Sequence, residues 1–97
     1  MSRYLLSPAA RHDLNEIWDY TARRWSTDQA ERYIRSIADA CAALATGERE
    51  GRAINDVRPG YLNYPVGSHV IYYRRDGGII EVIRILHQRM DVSARLQ

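Results

Sequence analysis

The chain contains no lysine; all 14 of its strongly basic side chains are arginine. Arginine stays protonated in proteins, so no basic side chain here except histidine can accept a proton. Arginine suits planar, bidentate contacts to phosphate and carboxylate, though a GC-rich genome is the simpler source of the bias. Cysteine is almost absent. Cys41 stands alone, which excludes an internal disulfide. It falls in an apolar helical pattern with no activating cation or base beside it in sequence, so a buried, inert thiol is expected. No apolar run approaches the ~20 residues of a membrane helix. The opening Met1–Pro8 lacks the apolar stretch of an export signal, so a cytoplasmic location is expected, away from membranes. His12, His69 and His87 with Cys41 make no zinc spacing. There is no phosphate-binding loop and no dinucleotide fingerprint, so neither metal nor cofactor is expected.

What is present fits one soluble globular domain spanning residues 1–97. Hydrophobic residues make up 45% and charged residues 27%, and the net charge is only +2; those shares are ordinary for a folded domain. A chain of this length buries about 60–70% of its unfolded surface, which allows one modest core.

Arg3–Leu6 reads as a short strand. Ser7-Pro8 then starts a helix, with Ser7 as cap and Pro8 at the first helical position. Ala10, Leu14, Ile17, Trp18, Ala22 and Trp25 fall on one helical face. This spacing assigns both tryptophans to the core, with Trp25 near enough to the following turn to be partly exposed to a partner. Asp13 and Glu16 early in the helix, and Arg23 and Arg24 late, complement its dipole. Ser26 caps a second helix, with Gln29 completing a capping box. Its apolar stripe is Ala30, Tyr33, Ile34, Ile37, Cys41 and Leu44, and Gly47 is its C-terminal cap. So short a connection predicts an antiparallel helical hairpin.

Residues 48–60 read as the least ordered stretch, ending in the turn pair Pro59-Gly60. Three strands follow. The first is Tyr61–Val66, whose Pro65 predicts an edge position or an early end. The second is His69–Arg75 and the third Ile79–His87, with Gly67-Ser68 and Asp76-Gly77-Gly78 as turns. Near-continuous Ile and Val in the third strand indicates a central position buried on both faces. Residues 91–97 form a short helix or a loose tail. The order β-α-α-β-β-β describes an α+β, two-layer domain: a helical hairpin on a small, mainly antiparallel sheet.

These segments resemble a known family. Arg58-Pro59-Gly60-Tyr61-Leu62-Asn63-Tyr64-Pro65-Val66-Gly67, His69-Val70-Ile71-Tyr72-Tyr73-Arg74 and the run from Ile80 to Asp91 are similar to the sheet of ParE-like toxins in the RelE/ParE superfamily. Tyr4-Leu5-Leu6-Ser7-Pro8-Ala9-Ala10, Asp13-Leu14 and Ile17-Trp18-Asp19-Tyr20 resemble the family's first strand and helix. The likeness covers nearly the whole chain, and its specificity lies in order and spacing. It implies the toxin of a type II toxin–antitoxin pair, as in plasmid stabilization. The partner would be a cognate ParD-like antitoxin, and operator DNA would be reached only through that antitoxin. In the ParE branch the target is DNA gyrase; in the RelE branch it is mRNA on the ribosome. A shared fold does not choose between them.

Proton chemistry bears on the choice. Metal-independent RNA cleavage needs a base, an acid and fixed cations. Arg58, Arg74, Arg75, Arg84 and Arg89 can clamp a phosphate but cannot act as the base. His87, Glu48, Glu50 and Glu81 remain. A histidine suits acid–base work, so a nuclease would use His87 with Arg58 and Arg84; the blander role for His87 is a backbone contact at a strand end. The missing lysines favour a gyrase inhibitor acting by protein–protein contact without catalysis. The alternatives are a ribosome-dependent mRNA endonuclease and a detoxified, antitoxin-binding regulator.

The residues expected to meet a partner are Tyr20, Trp25, Arg58, Arg74, Arg84, His87 and Arg89. Tyr20 lies off the apolar stripe, and tyrosine is favoured at interfaces. Strand alternation puts Val70, Tyr72 and Arg74 on one side, and His69, Ile71, Tyr73 and Arg75 on the other. It puts Arg84 with Ile80, Val82 and Leu86, where an arginine is costly unless paired; a structural ion pair is the simpler expectation. His12 and His69 read as surface residues.

Overall fold

The computed structural model describes residues 3–96. The elements are β1 (Arg3–Leu6), α1 (Pro8–Arg24), α2 (Thr27–Thr46), β2 (Arg52–Ala53), β3 (Tyr61–Val66), β4 (His69–Asp76), β5 (Ile79–His87) and α3 (Val92–Arg95). The expected order holds, with one strand added. The sheet runs β1-β5-β4-β3-β2. β1 lies parallel to β5, and the other pairings are antiparallel.

The helices start where their caps place them. Ser7 Oγ accepts the Ala10 N–H at 3.0 Å, and Ser26 Oγ accepts that of Gln29 at 3.0 Å. Only half of the second capping box forms, because the Gln29 side chain accepts from Arg32 instead. Gly47 closes α2 at φ 82°, where glycine avoids the steric cost of a Cβ.

The stretch expected to be least ordered instead supplies β2. Arg52 and Ala53 pair with Asn63 and Leu62. β3 is therefore covered on its outer side only at those two residues, and Pro65 lies beyond them, where no ladder needs its missing N–H. β5 is central, as expected, between β1 and β4.

The helical layer buries one sheet face. Ile37, Cys41 and Leu44 of α2 and Ile17 of α1 pack on Ile71, Tyr73, Ile80, Val82 and Ile85. Burial pushes the Cys41 thiol up to about 11, so it is protonated and unreactive at neutral pH. The second face carries its own cluster of Ile54, Tyr72, Leu86 and Leu96. Residues after β2 and the C-terminal segment cover it.

Two expectations fail. Trp18 and Trp25 are exposed, at 37% and 68%. Asp13 and Thr21 take buried places on α1 instead, so the tryptophans sit on the flank of the buried stripe. The alternation along β5 also breaks. Tyr73 pairs with Val82 but Tyr72 pairs with Arg84, leaving Ile83 as an extra residue in a bulge. Val82 then faces the helices while Leu86 faces the second cluster, so Arg84 does not share one face with both.

Candidate functional site

β1 ends at Leu6, opposite Val82. Beyond that point β5 has no strand on this side, and its backbone groups need other partners. The start of α1 supplies them. Ser7 N–H donates to Val82 O at 2.9 Å, and Ser7 Oγ donates to Ile83 O at 2.6 Å. Asp13 accepts the Ile85 N–H at 2.9 Å. Its two oxygens also accept Arg84 Nε at 2.8 Å and Nη2 at 2.9 Å. In this fork-to-fork pair Asp13 is buried and Arg84 partly exposed, and the pair raises the Arg84 pKa, first through the hydrogen bond to Asp13. Asp13 was expected to serve the helix dipole; it clasps the sheet.

An open cleft of about 620 Å³ lies beside this clasp. All three histidines, His12, His69 and His87, line it, with Tyr20 and Ile17 from α1 and Met90 and Arg95 from the C-terminal segment. His69 and His87 meet edge to face with ring centroids 5.4 Å apart. His69 Nδ1 lies 2.6 Å from the Tyr33 hydroxyl. His87 Nδ1 accepts the Arg89 N–H at 3.2 Å. His12 pairs with Glu16 at 2.9 Å on the exposed rim. Burial, then the neighbouring His87, holds His69 below the ordinary histidine value, with Asp13 pulling the other way.

Of the residues singled out in sequence, Tyr20, Arg84 and His87 come together at this cleft. Arg58 and Arg74 do not, because they belong to the second face. Arg58 lies 5.2 Å over the Tyr61 ring and donates to Leu96 O at 2.6 Å. Arg74 pairs with Glu81 at 2.8 Å. Trp25 stands alone at the end of α1, stacked by Arg24 at 5.8 Å. Arg89 follows β5 and is exposed. His12, His69, Asp13 and Tyr33 were missed. Their separation in sequence gives no signal, and an unbroken hairpin about Gly77-Gly78 would set His69 opposite Leu86. The extra residue at Ile83 moves the register by one and brings in His87.

Chemically, the cleft offers imidazoles, a phenol and an apolar floor. Within it Arg84 and Asp13 neutralise each other and Glu16 pairs with His12, while Arg95 adds a second guanidinium from the C-terminal segment. Among the described residues no group of three or more histidine, cysteine or acidic side chains is arranged to hold a metal ion. No helix among them is long and apolar enough to cross a membrane.

The solved structure of a chromosomal ParDE toxin–antitoxin system from P. aeruginosa superimposes on this fold with a TM-score of 0.74, covering 90% of this chain and 95% of that one at 21% identity. That likeness defines the class: a small α+β protein with the fold found in such systems. A model of the ParE toxin of type II toxin–antitoxin systems matches residues 4–92. Toxin ParE1 of Mycobacterium tuberculosis is 53% identical over 96 residues, covering 98% of each chain. Toxin ParE1 of Caulobacter vibrioides is 38% identical over 99% of each, and Toxin ParE of Escherichia coli is 34% identical over 99% of this chain and 94% of that one. The chain belongs to the ParE toxin family of type II toxin–antitoxin systems.

Proposed function

We propose that this ParE toxin is held by a cognate ParD-like antitoxin in the cytoplasm and, when free, inhibits DNA gyrase by protein–protein contact. The observation that carries this reading is how the arginines are used. Arg84 is bound by Asp13, Arg58 by a backbone carbonyl and Arg74 by Glu81. A phosphate-clamping nuclease centre needs free cations around its base, and these three are engaged within the chain. The exposed aromatic side chains Tyr20 and Trp25 are instead the kind that anchors protein interfaces. Tyr20, with the cleft behind it, is the docking surface we favour; Trp25 at the end of α1 and Arg89 after β5 are further exposed side chains open to a partner.

Saturating purified toxin should stop gyrase supercoiling or trap cleaved DNA, and added antitoxin should restore activity. Undiminished supercoiling would overturn the reading. The paired histidines favour one competing reading, an mRNA endonuclease in which His87 transfers a proton. New 5′ ends within translated messages, lost in His87→Ala, would support it; full toxicity of that variant would count against it.

A further inference from the structure

Two hydrogen bonds inside the fold decide what the paired histidines offer to the cleft. His69 and His87 are register partners on β4 and β5. The pairing runs one residue past them, since the Gln88 N–H donates to Ser68 O at 2.9 Å. The Met90 N–H donates to His87 O at 2.9 Å and closes the turn behind it. Within that turn the Arg89 N–H donates to His87 Nδ1 at 3.2 Å. A ring nitrogen that accepts carries no proton, and the imidazole then carries one on its other nitrogen. His87 therefore has an N–H at Nε2.

His69 is set the same way from α2. Its Nδ1 lies 2.6 Å from the Tyr33 hydroxyl. That hydroxyl accepts the Ser68 N–H at 3.1 Å and also has Val66 O at 3.2 Å, but it has one proton to give. A separation this short is ordinary for an O–H donor, whereas N–H donors to oxygen start at about 2.7 Å. The phenol therefore donates to Nδ1, and His69 too carries its N–H at Nε2. Among the described residues neither Nε2 has a partner in the chain, and no buried side-chain nitrogen or oxygen lacks one. Both N–H groups thus open on the cleft that the rings line.

The acceptors of the cleft are engaged. Asp13 takes Arg84 and the Ile85 N–H, and Glu16 takes His12 at the rim. Donors are left to face a ligand: the two imidazole N–H groups, the Tyr20 hydroxyl and Arg95, which makes no ion pair among the described residues. As a base, either ring would first have to give up its bond within the fold. The formal charges of Arg84 and Arg95 only balance those of Asp13 and Glu16, so the cleft has no surplus of cations for a doubly charged phosphate. A single carboxylate, whose oxygens only accept, matches a donor set of this kind beside apolar Ile17 and Met90.

We propose that the cleft is a carboxylate socket: His69 Nε2–H and His87 Nε2–H, with Arg95, receive one aspartate or glutamate side chain that the toxin's protein partner carries on an apolar segment. This rests on the cleft being the docking surface, and it names the chemistry a partner must bring there.

NMR of the imidazole nitrogens on the purified full chain at neutral pH tests the first step. Both rings should be Nε2–H tautomers, and an Nδ1–H tautomer at either one overturns the proposal. The peptide acetyl-Leu-Glu-Leu-amide, titrated at constant ionic strength, should then shift both Nε2 resonances. Its counterpart with glutamine should bind on the order of tenfold more weakly, as loss of a hydrogen bond to a charged group gives. Unmoved Nε2 resonances overturn the socket, as do equal affinities of the two peptides or tighter binding of inorganic phosphate. Tyr33→Phe removes the hydroxyl that fixes His69 and leaves His87 as it is. It should mix the His69 tautomers and weaken the glutamate peptide while sparing the glutamine one; an equal loss for both overturns the role of His69. Gyrase is scored apart. Peptide binding with supercoiling intact keeps the socket and removes gyrase as the target, and inhibition without peptide binding does the reverse.

Discussion

One face of the sheet is covered by two long helices that come directly after β1, the other by a loop and a four-residue helix near the C-terminus. The helical cover makes its own backbone hydrogen bonds, so its side chains are free to pack. Ile37, Leu44, Ile71, Tyr73, Ile80 and Val82 are almost wholly out of water. The second cover has little regular structure. It is held by side chains reaching for backbone carbonyls, with Arg58 on Leu96 and Arg84 on Arg95. The clasp between the layers is polar too, because β1 stops short and α1 must serve the bare edge of β5. The difference teaches where stability and change reside. The helical face sets the fold, and the second face is the more loosely held part.

The largest effect should come from the clasp. Asp13→Ala strands Arg84 and the Ile85 N–H together; breaking a buried pair from one side costs about 3–5 kcal/mol, and the partial exposure of Arg84 puts the loss at the lower end of that range. Denaturant unfolding would measure it; a loss under about 1 kcal/mol would mean that water replaces the carboxylate. Next, Leu44→Ala on the helical face should cost about 2–5 kcal/mol, whereas Leu96→Ala on the second face should fall at or below about 2 kcal/mol, since a loosely held segment collapses into its own cavity. Equal losses would erase the contrast between the faces.

Gly67→Ala should cost about 1–2 kcal/mol for a left-handed residue, because φ is +57° there. A methyl would also stand 2.7 Å from the Tyr33 ring and displace it. If the amide protection of Ser68 survives, Tyr33 does not clamp that turn. The smallest effect belongs to Trp25→Ser. Trp25 is an exposed side chain outside both clusters, so its loss should change thermal stability by less than about 0.5 kcal/mol. A larger drop would return this tryptophan to the core, where periodicity first placed it.

That misplacement shows how far the pattern reaches. Helical spacing finds a stripe but not its exact centre, and on α1 the centre passes through Asp13 and Thr21 rather than through Trp18 and Trp25. β2 was illegible for a different reason. Two residues in a charged, glycine-containing stretch carry no alternation, and they pair only because β3 is already there. Arg84 signalled its need for a partner by lying among aliphatics, but nothing nearby in sequence named Asp13. The cleft was legible only in Tyr20, Arg84 and His87, while His12 and His69 looked like ordinary surface residues.

The sequence by itself determined the two capped helices, the glycine turns, the central aliphatic strand and the family. Each of these is written in local chemistry: a hydroxyl at a helix start, a residue that tolerates positive φ, a run too apolar for an edge. Only the tertiary structure decided the rest. A run of isoleucine and valine has no polar beat to reveal a slipped register, so the bulge at Ile83 was invisible until β4 and β5 were paired. That one extra residue sets His87 against His69, and the clasp beside it commits Arg84 to Asp13.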